Sequence, residues 1–238
     1  MKLPKILFID IETSPNIVYS WTIGRKISLS YENIIEERQI ICAAWKWSHH
    51  NKVYCADWKN HSDKHILPIV SKAINEADLI VAHNGDKYDI RFINGRLLFH
   101  DLPPIHHAKT EDTLKQLRKV FYFNSNKLDY ISQFLGIGKK IKTNFNLWKE
   151  VMKGKTIALR NMIKYCKEDV RLLERLYNKV SAYVPQTLNK SLVQNGTKNG
   201  CSACGAGPSS LRPKGFRYNP KSIKQKYQCS ICGKWSSF

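Results

Sequence analysis

Four acids stand where hydrolytic chemistry on a phosphate ester would need them. Asp10 and Glu12 close an apolar run, Asp89 follows His83-Asn84-Gly85, and Asp169 lies four residues after Tyr165 in a long amphipathic stretch. Carboxylate oxygens suit hard divalent cations such as Mg²⁺ or Mn²⁺. Two such ions about 3.5–4 Å apart can sever a phosphodiester by in-line displacement, and they need several flanking oxygens. Asp10 and Glu12 are two apart, so in a strand both carboxylates project from one face. Tyr165 and Asp169 are one helical turn apart and share a face. Singly, each pattern is ordinary: Asp-x-Glu is a common tripeptide. Their embedding is not, because ionised groups at the end of a buried strand are costly unless paired or metal-bound.

The elements that must position these groups can be read from periodicity. Lys5 to Ile11 reads as a buried strand. Ile40 to Trp47 and Lys52 to Trp58 read as two more, paired antiparallel across a polar loop. Ser62 to Ala77 has helical spacing, Leu79 to Ala82 is a short strand, and Ile90 to Phe99 is a helix ended by Pro103-Pro104. Helices are expected over Thr110 to Phe123, Lys127 to Leu135, Leu147 to Lys153 and Ile157 to Val184. Strands early and helices late around a mixed sheet define an α/β fold. The expected division is a domain over 1–184, a linker over 185–200 rich in Gln, Asn, Lys and Gly, and a small module over 201–238.

That last module carries two C-x-x-C-Gly pairs, Cys201/Cys204 and Cys229/Cys232, with 24 residues between them. Four thiolates make a closed tetrahedral Zn²⁺ site of the structural kind. A segment under about 40 residues rarely folds without a metal or crosslink. The alternatives are two separate redox motifs or disulfides. The module resembles a zinc ribbon. Arg212, Lys214, Phe216, Arg217, Tyr218, Lys221, Lys224, Lys226, Tyr227 and Trp235 mix cations with aromatics, a combination that grips phosphates and unpaired bases. The same aromatics could instead form the ribbon's small core. Cys42, Cys55 and Cys166 read as plain buried residues.

The acidic motifs, taken in order, resemble the DEDD-type 3′–5′ exonucleases of the ribonuclease H-like fold. Asp10-Ile11-Glu12-Thr13 matches their first motif, His83-Asn84 through Tyr88-Asp89 the second, and Tyr165-Cys166-Lys167-Glu168-Asp169 the third. Tyr165 four before the last acid, with Lys164 where the other subclass has His, marks the tyrosine subclass. The chain is similar to family B polymerase proofreading domains and to stand-alone exonucleases of bacteriophages. Lys109 to Leu114 and Lys127 to Ile131 resemble the helical segment before the third motif. The second motif has four residues between Asn84 and Asp89, where many relatives have three. By this resemblance Asp10, Glu12, Asp89 and Asp169 bind two Mg²⁺ or Mn²⁺ ions, Tyr165 positions the attacking water, and Thr13 and Asn84 contact the substrate. It implies removal of nucleotides from 3′ ends, with DNA favoured over RNA. Asp86, Asp112, Asp129 and Glu168 read as solvated or capping acids.

Charge points the same way. Thirty-nine Lys and Arg against 19 acids give a formal +20 in 238 residues, which favours a polyanionic partner. Nine of the cations, and no acid, lie from Gln186 onward. Nucleic acid, as single-stranded DNA or DNA 3′ ends, is the expected partner. No apolar run near the eighteen or so residues of a spanning helix is present, so no membrane is expected. The short apolar run closed by Asp10 is no secretory signal, and cytoplasm (the host's, for a viral source) is the expected compartment. Lys139-Lys140-Ile141-Lys142 reads either as a steering loop or as a solvated one. His49-His50 and His106-His107 read as loop pairs without metal. Two other functions compete: an exoribonuclease, and a non-catalytic nucleic-acid-binding or recruitment protein.

Overall fold

The computed structural model describes residues 4–24, 26–106 and 109–238. His107 lies outside them. The centre is a five-stranded mixed sheet built from β1 (Ile6–Thr13), β4 (Ile40–Trp47), β5 (Val53–Asp57), β6 (Leu79–Ala82) and β7 (Lys109–Asp112), in the order β5-β4-β1-β6-β7. Strands β4 and β5 run antiparallel to their neighbours, whereas β6 and β7 pair in parallel with β1 and β6. A two-stranded ribbon, β2 (Ile17–Val18) with β3 (Ile34–Glu36), lies apart from the sheet. Strand β1 is central, and from Ile6 to Ile9 it is apolar on both faces, as a strand covered on both sides must be.

Helices α1 (Ile66–Asn75) and α2 (Asp89–Phe99) cross between strands, and α3 (Thr113–Val120), α4 (Leu128–Phe134) and α5 (Phe145–Met152) follow β7. The 25-residue helix α6 (Thr156–Val180) packs across β1, β4 and β5 through Met162, Cys166, Val170, Leu173 and Tyr177. Phe8 of β1 meets the Tyr177 ring edge-on at 5.4 Å. Because Phe8, Asp10 and Glu12 share one strand face, α6 covers the face that bears the acids.

Thr110 to Phe123 is not one helix. Its first residues form β7, a polar edge strand, and the helix ends at Val120. Lys-Thr-Glu-Asp carries no apolar alternation, so nothing in its pattern distinguished it from a helical first turn. Asp112 caps α3 by accepting the N–H groups of Leu114 and Lys115 and also that of Asn84. The expected linker contains a short helix, α7 (Lys190–Asn195), capped by Asn189 and closed by Gly196 in the left-handed region.

A buried ionic network unseen in the sequence ties α2 to β4. Fully buried Asp63 accepts two hydrogen bonds from Arg96, at 2.7 and 2.9 Å, and the N–H of Ile40 at 3.0 Å. His100 Nε2 lies 2.8 Å from the same carboxylate. Every oxygen of this buried charge is thus satisfied, as burial demands. Residues 201–238 form a three-stranded sheet of β8 (Leu211–Asn219), β9 (Ser222–Cys229) and β10 (Trp235–Ser237), ordered β10-β9-β8. Lys190 of α7 bridges it to the larger unit, donating its backbone N–H to the Ser202 carbonyl at 3.1 Å while its ammonium lies 4.7 Å from the Tyr177 ring centre, and Lys234 Nζ donates to the Val184 carbonyl. No helix of the described residues is long and apolar enough to cross a membrane.

Candidate active site

Asp10 and Glu12 leave β1 beside Ala44 and Cys42 of β4, small partners that leave room above them. The pairing becomes irregular between Glu12 and Thr13, a local distortion that re-aims side chains at the strand's end. Asp169 descends from α6. The carboxylates of Asp10, Glu12 and Asp169 lie within 4.8 Å of one another. Asp89, the first residue of α2, is buried and stands outside that trio. Its Oδ1 accepts the Ile11 N–H at 3.1 Å, which holds it against β1 next to Asp10.

Such crowding shows in protonation. Burial, then the charges of Asp89, Glu12 and Asp169, push the Asp10 carboxyl well above its ordinary range. Burial and Asp169 raise Glu12 to about 8, and burial raises Asp89 to about 7 against the hydrogen bonds it accepts. Burial raises Asp169 too, opposed by Lys140. Asp169 Oδ1 is buried and has no hydrogen-bond partner among the described residues. A hard-oxygen cluster with an unsatisfied buried acceptor fits a divalent cation. Burial and Asp169 also lift the Tyr165 phenol above its ordinary value, so it stays protonated near neutrality.

Lys140 is the residue the sequence left undecided between a steering and a solvated loop, and its side chain is engaged at the acids rather than left in solvent. Its Nζ donates to Asp169 Oδ2 at 2.5 Å and to Tyr165 Oη at 3.3 Å. Burial works against the ammonium, but Asp169 and Asp10 outweigh it, and its pKa rises. The loop is held for this purpose. Asp129 accepts the Lys140 N–H at 2.8 Å, Arg175 donates to the Ile137 carbonyl at 3.2 Å, and Gly138 adopts φ +137°. A side chain at Gly138 would be strained, and its Cβ would meet Arg175 Nη1 at 2.9 Å. Asp129 and Asp112 are therefore structural acceptors, while Asp86 pairs with Lys115 and Glu168 with Arg171.

A cavity of about 570 Å³ opens beside the acids, lined by Asp10, His83, Asn84, Asn126, Asp129 and Lys140. Asn84 has φ +68°, a conformation asparagine tolerates, and Gly85 follows so close to β6 that a Cβ would fall 2.2 Å from that of Ala82. His83 opens the second motif, but the sequence assigned it no role of its own. Its two ring nitrogens engage Thr113 Oγ1 at 2.9 Å and the Asn126 carbonyl at 3.0 Å, and burial lowers its pKa. Thr13 Oγ1 lies 2.6 Å from Tyr88 Oη, and the Thr13 carbonyl accepts from the Trp148 indole at 3.1 Å. Trp148 in turn meets the Tyr165 ring at 6.3 Å. Thr13 and Tyr165 are thus linked through one aromatic side chain. A larger cavity, about 980 Å³, lies along the same loop and is lined by Ile141, Lys142, Asn144 and Lys164.

At the other end of the chain Cys201, Cys204, Cys229 and Cys232 converge within 4.8 Å, all as free thiols. Cys201 and Cys232 sulfurs are 3.5 Å apart and those of Cys204 and Cys229 3.7 Å, too long for disulfides and suited to one tetrahedral metal. Gly205 and Gly233, after each pair, adopt positive φ and donate their N–H to the Cys201 and Cys229 carbonyls. Of the remaining cysteines, Cys42 and Cys166 are buried and Cys55 is half-buried; the Cys166 thiol sits 3.4 Å from the Asp10 carbonyl.

Residues 7–181 match the RNase H superfamily, and the chain belongs to it. Its fold is similar to that of the family B DNA polymerase from the hyperthermophilic archaeon Pyrobaculum calidifontis. The TM-score is 0.60 at 12% sequence identity, covering 93% of this chain and 32% of the polymerase. The chain therefore spans about a third of that polymerase's length. No curated protein matches the sequence. Superfamily membership and the acidic cluster support a nuclease, a hydrolase acting on nucleic acid.

Proposed function

We propose that this protein is a 3′–5′ exonuclease of the tyrosine subclass, hydrolysing phosphodiesters at 3′ ends of DNA with two divalent cations. The observation that carries this reading is the trio of Asp10, Glu12 and Asp169, drawn within 4.8 Å at the end of a buried strand, with an unsatisfied oxygen on Asp169. Asp10, Glu12, Asp89 and Asp169 would hold the Mg²⁺ or Mn²⁺ ions. Bound there, such ions supply a water of lowered pKa and neutralise charge on the phosphoryl oxygens. Tyr165 keeps its proton and orients the attacking water. The Lys140 ammonium, seated at Asp169, can turn from the carboxylate to a phosphate oxygen as a substrate enters. Asn84, on the cavity wall, and Thr13, held by Tyr88 and Trp148, would position the terminal nucleotide. Residues 1–184 form the nuclease unit in this reading, and a structural Zn²⁺ on the four cysteines organises 201–238.

The test uses oligonucleotides labelled at the 5′ or the 3′ end, as single-stranded DNA, duplex DNA and RNA, with Mg²⁺ or Mn²⁺ added or withheld. A metal-dependent ladder of shortened 5′-labelled products, with mononucleotide released at once from the 3′ label, is expected. Internal cuts, or release of the 5′ nucleotide first, would rule out the proposed polarity. Faster degradation of RNA would move the substrate to that polymer. No cleavage with any metal would leave the non-catalytic reading.

A further inference from the structure

The C-terminal sheet has two unlike faces. Opposed residues in an antiparallel pair share a face, and faces alternate along each strand. The pairings Arg212↔Gln228, Arg217↔Lys224, Trp235↔Gln228 and Ser237↔Lys226 put four cations and Trp235 on one side. Leu211↔Cys229, Phe216↔Gln225 and Tyr218↔Ile223 occupy the other, where Phe238 packs on Tyr227 at 5.6 Å. The composition alone suggested a mixture of cations and aromatics; the register sorts most of them by face.

The first side is built for an anion. Arg212, Arg217 and Lys224 are exposed, none is in an ion pair among the described residues, and no acid occurs from residue 186 to the end. Trp235, on the same face, is 52% exposed; Phe216 and Tyr218 are exposed on the opposite face, but without this set of cations around them. An indole left in water on the same face as the guanidinium groups offers a surface on which an unpaired base stacks, while the cations take neighbouring phosphates. Duplex bases have no free face to offer.

Resting on the nuclease reading of the neighbouring unit, we propose that the face formed by Arg212, Arg217, Lys224 and Trp235 is a separate, non-catalytic binding site for single-stranded nucleic acid. The full-length chain, carrying Asp10→Ala to prevent turnover, is titrated into fluorescent oligothymidylate and into a blunt hairpin duplex over a range of salt. Replacing Arg212, Arg217 and Lys224 by Ser should weaken oligothymidylate binding about tenfold at low salt and reduce the salt slope by about two, the share of three phosphate contacts. Trp235→Ala should weaken single-strand binding roughly five- to hundredfold, with little effect on the duplex, and Trp235→Phe should restore most of it. Phe216→Ser with Tyr218→Ser, on the opposite face, should change neither affinity nor slope. An unchanged slope in the triple variant would overturn the proposal. So would a silent Trp235→Ala, or equal losses from the opposite face. The nuclease reading is checked apart, with Asp10 intact, on the p-nitrophenyl ester of thymidine 5′-monophosphate, which is too small to need the distal face. Loss of ester hydrolysis by the wild-type chain would sink that reading and leave the binding result standing.

Discussion

At the scale of residues, the acids are held in a state they would leave if unfolded. Glu12 moves from an ordinary 4.5 to about 8 and Asp89 from 3.8 to about 7, so without a divalent cation the folded chain binds more protons than the unfolded one across that window. The stabilisation is complete below the unfolded values and is lost as pH rises through the folded ones. Melting without Mg²⁺ or Mn²⁺ should therefore fall between about pH 5 and about pH 8, and saturating Mn²⁺ should flatten the fall. A profile that rises with pH would contradict the crowding. Asp169→Asn should abolish cleavage while raising the melting temperature at the alkaline end. Tyr165→Phe should cost less, up to about a hundredfold in turnover, because it disturbs positioning alone. Lys140→Met should destabilise the metal-free protein by about 1–3 kcal/mol, less than a wholly buried pair because Lys140 keeps some solvent, and Mn²⁺ should recover that loss. Of these residues Asp10, Glu12, Tyr165 and Asp169 were legible because two and four are the strand and helix repeats. Lys140 was not: its partner is 29 positions away, and no local pattern encodes that approach.

At the scale of elements, the site depends on how three segments are tied. Helix α6 brings Asp169 down onto β1, α2 presents Asp89 from its first residue, and the loop after α4 delivers Lys140. Gly138→Ala tests the loop alone. Its φ of +137° should strain the loop and displace Lys140, lowering stability by about 1–3 kcal/mol without altering the sheet, while the Arg175 tip can move aside. Near-wild-type melting would show that the loop relaxes freely. Strands β1, β4 and β6 were readable because apolar runs of that length have few other uses, and β4 and β6 fall where the pattern placed them. The polar edge strand β7 carried no such signal. Helix α7 hid in a polar segment because its six residues gain their order from packing: Ser191 lies against Gly200 and Gln194 against Gly205. In the network that anchors α2, Arg96 and His100 are one helical turn apart, but Asp63 is 33 and 37 positions from them, a separation periodicity does not encode.

At the scale of the whole molecule, two units of different construction are joined. One owes its order to a sheet covered by helices, the other to four sulfurs and a hairpin. With Zn²⁺ on the four cysteines, as proposed, its removal should unfold residues 201–238 while leaving the larger unit's main melting transition within a few degrees. Loss of both transitions together would show that the ribbon supports the nuclease fold. Lys190 and Lys234 join the two units at the Tyr177 ring and the Val184 carbonyl. A polymer held by both would, on losing one contact, be retained by the other at high local concentration. The expected behaviour is processive digestion: in a trap challenge the intact chain should shorten a strand through many successive steps, and a chain lacking residues 201–238 should release it after one or two.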